Sequence, residues 1–95
     1  MSRPPRLDLG TVDQALAAQD SPWERQGDAL VLERRFDSFP DAISFVDAVA
    51  REAEDRNHHP DISVRYTAVR LELSTHDAGG LTQLDLDLAK AIAEL

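Results

Sequence analysis

The chain has 95 residues, 42% of them hydrophobic, no cysteine and a formal net charge of −8. Such acidity argues against a grip on nucleic acid or an anionic membrane, both of which need a basic face. Without cysteine there is no disulfide, thiolate zinc site or thiol catalysis, and no apolar run approaches the ~20 residues of a membrane helix.

One small domain is expected, residues 10–95, after a flexible lead-in over residues 1–9 marked by Pro4, Pro5, Arg3 and Arg6. No charged-then-apolar leader opens the chain, so a cytoplasmic protein is the expectation. A domain of this size buries only about 60–65% of the surface its unfolded chain exposes, which makes a homo-oligomer a natural supplement to its stability.

Thr11 with Gln14 reads as a capping box opening a helix to about Gln19, with Val12, Ala15, Leu16 and Ala18 as its stripe. After the Asp20-Ser21-Pro22 turn, two strands are predicted, Trp23–Gln26 and Ala29–Phe36, joined by a tight Gly27-Asp28 hairpin. Ser38 caps the next helix, with Pro40 in its first turn, and the helix runs to about Arg56. Its stripe is read as Phe39, Ala42, Ile43, Val46, Val49, Ala50 and Ala53. Pro60 forces His59 out of helical geometry. A third strand follows, with Ile62, Val64 and Tyr66 on one face. A fourth, Val69–Thr75, alternates Val69, Leu71 and Leu73 with Arg70, Glu72 and Ser74. Asp77 to Gly80 form a loop. Thr82 with Asp85 is a second capping box, opening a last helix to about Glu94 with Leu84, Leu88, Ala91, Ile92 and Leu95 inward. The order α-β-β-α-β-β-α implies an α+β fold: a four-stranded antiparallel sheet with three helices packed on one face.

All three histidines, His58, His59 and His76, fall between Glu54 and Asp85. If the third and fourth strands form a hairpin, the histidines converge at one end of the sheet. Imidazole titrates nearest working pH and is the usual group for general acid–base work. Asp85 is placed to accept from a histidine and fix its tautomer. Glu54, four residues before His58 on a helix, is placed to do the same there. Gly79-Gly80 would let backbone approach a ligand closely. Each feature also has an ordinary explanation: surface histidines, a helix-start acid, a solvated glutamate, a glycine turn. Catalysis and structure stand about level on the residues alone. Zinc is a second functional reading, since three histidines and a carboxylate are possible ligands. Against it, no His-x₃-His pair lies on one helix, and adjacent histidines diverge in extended chain. Trp23 and Tyr66 are read as packing residues.

The spacing Glu54-x₃-His58-His59-Pro60-x₅-Tyr66-x₉-His76-x₈-Asp85, with the block Ser74-Thr75-His76-Asp77-Ala78-Gly79-Gly80-Leu81-Thr82, resembles the signature of the pterin-4a-carbinolamine dehydratases, also called 4a-hydroxytetrahydrobiopterin dehydratases. Trp23, the Leu32-x-Arg34-x-Phe36 strand and the Phe39–Glu54 helix are similar to the family as well, so the likeness spans about residues 10–95. Ile62 or its neighbour is aliphatic where some members carry an aromatic. The resemblance implies a lyase of tetrahydrobiopterin recycling that dehydrates a 4a-hydroxytetrahydropterin to the quinonoid dihydropterin, with no metal or organic cofactor. It implies acid–base roles for His58 and His76, pterin binding mainly by His59, and support from Asp85. Asn57, Ser74, Thr75 and Asp77 match substrate-contacting positions, partly through backbone. It also implies homodimers or homotetramers, and a link to aromatic amino acid hydroxylases. Some relatives on this fold act instead as dimerisation cofactors of a transcription factor or as assembly factors. The non-catalytic ones lack the His-His-Pro and the later histidine, all of which are present here.

Overall fold

The structure, a computed structural model, describes residues 4–95. Its elements run α1 (Leu9–Ala18), β1 (Glu24–Gln26), β2 (Ala29–Arg35), α2 (Phe39–Arg56), β3 (Asp61–Arg65), β4 (Ala68–Leu73), a 3-10 turn (His76–Ala78) and α3 (Gln83–Ala93). The strands form one antiparallel sheet in the order β1-β2-β4-β3. Period-two alternation puts Leu30 and Leu32 of β2 and Val69, Leu71 and Leu73 of β4 on the helix-bearing face. There they meet Val12 of α1, Ala42, Phe45, Val49 and Ala53 of α2, and Leu86, Leu88, Ala89 and Ile92 of α3. The order and the sheet agree with the fold read from the sequence.

Several boundaries moved, each for a local reason. Within the expected lead-in, Met1–Arg3 lie outside the described residues. Leu7 packs on the core, and its N–H donates to the Leu81 carbonyl at 2.7 Å. The first helix starts at Leu9 rather than Thr11, because the Asp8 carboxylate accepts from the Thr11 N–H and takes the cap. Ordered structure thus begins before Gly10. Trp23 precedes β1 instead of opening it. Its ring is buried, and Nε1 donates to the Ala89 carbonyl at 2.9 Å.

The α2 stripe is Ala42, Phe45, Val49 and Ala53, whereas Phe39 and Ala50 are exposed. The α3 stripe is turned too. Asp85, Leu86, Leu88, Ala89 and Ile92 are buried, while Leu95 lies exposed past the helix end. Tyr66 is not a strand residue. Arg65 pairs with Ala68, which leaves Tyr66-Thr67 as a two-residue turn with Tyr66 at φ 56 and 74% exposed. Tyr66 is thus no packing residue in this chain. The hairpin at Gly27-Asp28 forms as expected, with Gly27 at φ 61.

Candidate active site

The site is assembled from three chain ends. The first is the C-terminus of α2. Asn57 takes the left-handed conformation (φ 49, ψ 42), and its N–H donates to the Glu54 carbonyl at 3.2 Å. The His58 N–H reaches back to the Ala53 carbonyl at 3.1 Å. These two bonds make a Schellman motif, built on asparagine where glycine is commoner. The motif turns the chain sharply, so His58 and His59 leave the helix on different headings.

The second is the end of β4. Register pairs Asp61 with Glu72, so the start of β3 and the end of β4 lie side by side. Beyond Leu73 the chain closes a small hairpin of its own. The Thr75 N–H donates to the Gly80 carbonyl at 2.9 Å, and the Gly80 N–H returns to the Thr75 carbonyl at 3.3 Å. His76–Ala78 make the 3-10 turn between them, and Gly79 closes it at φ 75. Gly80 is buried, and an added Cβ would meet Arg6 Cδ at 2.8 Å. The glycines therefore serve the turn and its packing under Arg6. The close ligand approach expected of this pair is not the constraint that the geometry reveals.

The third is the N-terminus of α3. Thr82 and Asp85 form the expected capping box. Asp85 is fully buried and three donors converge on it. His58 Nε2 lies 2.6 Å from Oδ1, the Thr75 hydroxyl donates to Oδ2 at 2.7 Å, and the Thr82 N–H donates to Oδ2 at 2.9 Å. An ionised carboxylate only accepts, so His58 donates from Nε2, and Nδ1 is the nitrogen left without the proton. The side chain of His58 is 10% exposed.

The second acid–histidine pair differs from expectation. Glu54 bonds to His59, with Oε2 2.6 Å from Nε2, and not to His58. The i,i+4 argument assumed that the helix continues through His58. Asn57 breaks that phase, so Asp85 takes His58 and the glutamate reaches the next residue. The pair is open to solvent, with side chains 55% and 78% exposed, so its contribution to stability is small.

Asn57, His58, His59, Ser74, Thr75, His76 and Asp77 together line a cleft of about 280 Å³. It contains all three histidines. Three larger clefts, of about 510, 500 and 440 Å³, lie elsewhere and include none. The histidine cleft lies near the lower end of the roughly 300–1,000 Å³ common for small-molecule sites. Among the described residues, no cluster of three His, Asp or Glu side chains comes together in a way that could hold a metal ion. The buried polar side chains that sequence reasoning left out of the site end at Thr82, whose hydroxyl lies 2.9 Å from that of Thr75. Its capping-box pattern was visible, but its second contact depends on how β4 meets α3.

Residues 5–95 match the family profile described as pterin 4 alpha carbinolamine dehydratase. The chain belongs to this family. A protein of Thermomicrobium roseum, provisionally named pterin-4-alpha-carbinolamine dehydratase, is 52% identical over 91 residues, covering 95% of this chain and 96% of the relative. One of Nocardia farcinica with the same provisional name is 52% identical over 82 residues, covering 85% and 86%. A solved Brucella melitensis structure, described as a transcriptional coactivator/pterin dehydratase, superposes with a TM-score of 0.83 at 33% identity, covering 93% of this chain and 98% of the other. A pterin dehydratase-like protein identified as a RuBisCO assembly factor in the alpha-carboxysome superposes at 0.64 with 25% identity, covering 76% and 86%. The pterin carbinolamine dehydratase fold thus serves proteins described in different roles, and the residues of the cleft must decide between them for this chain.

Proposed function

We propose that this family member is a hydro-lyase acting on a 4a-hydroxytetrahydropterin. The supporting observation is the cleft itself: all three histidines line it, one of them held by a buried carboxylate. In the reaction the C4a–O bond breaks and hydroxide leaves as water once it has gained a proton. The N5 proton is lost and an N5=C4a double bond forms. One group must donate and another accept, and no net oxidation occurs. His58, with Nε2 held by Asp85, accepts or returns a proton at Nδ1. His76, exposed on its turn, is the partner proton carrier. His59, steadied by Glu54, binds the pterin. Asn57, Ser74, Thr75 and Asp77 complete the cleft wall, partly through backbone groups. The chemistry needs neither metal nor organic cofactor.

The proposed setting is cytoplasmic recycling of a hydroxylase's pterin by a homo-oligomer. Edge strand β3 is exposed along its whole length and displays Ile62 and Val64. Such an edge invites pairing. A non-catalytic assembly or transcriptional dimerisation role on the same fold is the second reading, favoured by the descriptions of the two solved neighbours. Stopped-flow dehydration of a synthetic 4a-hydroxytetrahydropterin separates the two. His76→Ala is expected to fold normally and to lose about 10²–10⁴ in turnover, the usual span of an acid–base group. Wild-type rates in that variant would sink the catalytic assignment.

A further inference from the structure

Among the described residues, the buried polar side chains are Thr75, Thr82 and Asp85; the Thr75 hydroxyl bonds to both of the others, and Thr82 reaches Asp85 through its backbone N–H. The direction of each bond follows by elimination. The Thr82 N–H can only donate, and it does so to Asp85 Oδ2. The Thr75 hydroxyl has one proton and gives it to the same oxygen. Its oxygen must then accept from the Thr82 hydroxyl, and Thr82 Oγ1 in turn accepts from the Leu84 N–H at 3.2 Å. The result is a one-way chain from the Leu84 N–H through two hydroxyls to Asp85.

A capping box accounts for the Thr82 and Asp85 contacts with backbone. It does not require the Thr82–Thr75 bond or the Thr75–Asp85 bond, which tie the end of β4 to α3. We propose that Thr82 and Thr75 form a positioning device for the acid–base pair. By donating to Oδ2 they hold the carboxylate with Oδ1 turned to His58, which fixes the geometry of the bond that keeps the His58 proton on Nε2. Thr75 also anchors the turn bearing His76, since its backbone pairs with Gly80 on the turn's far side. A single residue thereby links the placement of both proton carriers. Bonds in such a chain polarise one another, so loss of one member weakens the rest. The kinetic consequence rests on the dehydratase reading, but the proton placement does not.

The test pairs ring-¹⁵N NMR of His58 at alkaline pH, where imidazoles are neutral, with steady-state kinetics. The variants are Thr75→Val and Thr75→Ser. In the unaltered protein His58 is expected as a single Nε2–H tautomer, with two threonine hydroxyl protons protected from solvent exchange. Thr75→Val should loosen the carboxylate, read as a shifted His58 Nε2 resonance and faster solvent exchange of its proton, and lower kcat by roughly tenfold or more, with little change in KM. Thr75→Ser should restore both. Thr75→Val with an unchanged ring spectrum overturns the device. If kcat nevertheless falls, Thr75 is a substrate contact and nothing more. Should the valine variant fail to fold, the unaltered protein decides, because unprotected hydroxyls or an Nδ1–H tautomer also overturn it. The spectrum is read without substrate, so the device stands or falls even if no dehydratase activity is found.

Discussion

Replacing Asp85 by asparagine tests the site's logic with least disturbance of its shape. The amide keeps one acceptor oxygen and exchanges the other for an NH₂ donor. Its orientation is dictated by the partners. Oδ2 accepts from a backbone N–H, that of Thr82, and from the Thr75 hydroxyl. The N–H cannot reverse, so the amide oxygen must occupy that side. The NH₂ then faces His58 Nε2, 2.6 Å from Oδ1 in the native protein, and that nitrogen must become an acceptor. The His58 proton moves to Nδ1, the nitrogen assigned to exchange with substrate.

Three charge-assisted bonds become neutral ones at a cost of about 1 kcal/mol each. Part of this is offset because a neutral amide is cheaper to bury than a carboxylate. A net loss of about 1–2 kcal/mol is expected, or roughly 5–15 °C in Tm for a domain of this size. Activity should fall far more, by about 10²–10⁴ in stopped-flow dehydration, because the base is present in the wrong tautomer. Asp85→Ala provides the contrast. It strands three donors and should cost about 3–5 kcal/mol, with activity lost largely through unfolding. A folded Asp85→Asn protein with turnover within about tenfold of wild type would refute the proposed role of the Asp85–His58 pair.

Three further outcomes are expected. Exhaustive chelation should leave dehydration rates unchanged, and stoichiometric zinc lost together with activity would replace the acid–base reading with a metal one. Light scattering should give a particle larger than the 10.5 kDa chain, and a monomer at working concentration would reject self-association through β3. Asp13 is held below its ordinary carboxylate value chiefly by its hydrogen bond from Arg25, whose Nε lies 2.6 Å from Oδ1. A depressed carboxyl contributes stability above its unfolded value, 3.8, and loses it as pH falls through the folded one. Asp13→Asn should therefore flatten the acid limb of the stability curve below about pH 4. An unchanged limb in urea unfolding would show that the pair contributes nothing.

Local signals were legible wherever a short stretch of sequence decides the outcome. Ser38 with Pro40 starts α2, Gly27-Asp28 turns the first hairpin, and Thr82 with Asp85 starts α3. Orientation was harder to read. Helix periodicity in α2 and α3 is broad enough to admit two neighbouring stripes. The choice of Phe45 over Phe39 depends on where the sheet lies, and Arg34 stacking 4.7 Å from the Phe45 ring centre belongs to that same packing. Tyr66 looks like a strand residue by alternation, yet the β3–β4 register makes it half of a two-residue turn. Within the site, convergence of the three histidines was legible from hairpin logic. The partner of Glu54 was not, because one left-handed asparagine shifts the chain out of helical phase.

That asparagine also explains why the chemistry sits at chain ends. His58 follows the C-terminus of α2, where unsatisfied carbonyls favour positive charge. Asp85 lies in the first turn of α3, where free N–H groups favour negative charge. The two termini face each other across one hydrogen bond. Asp85 is held in place by the donors of its own helix and Thr75. A histidine and an aspartate placed mid-helix would have the same hydrogen bond and lack this field. The Schellman turn at Asn57 is accordingly part of the site: an Asn57→Ala change, strained at φ 49, would move His58 before it disturbed anything else in the cleft.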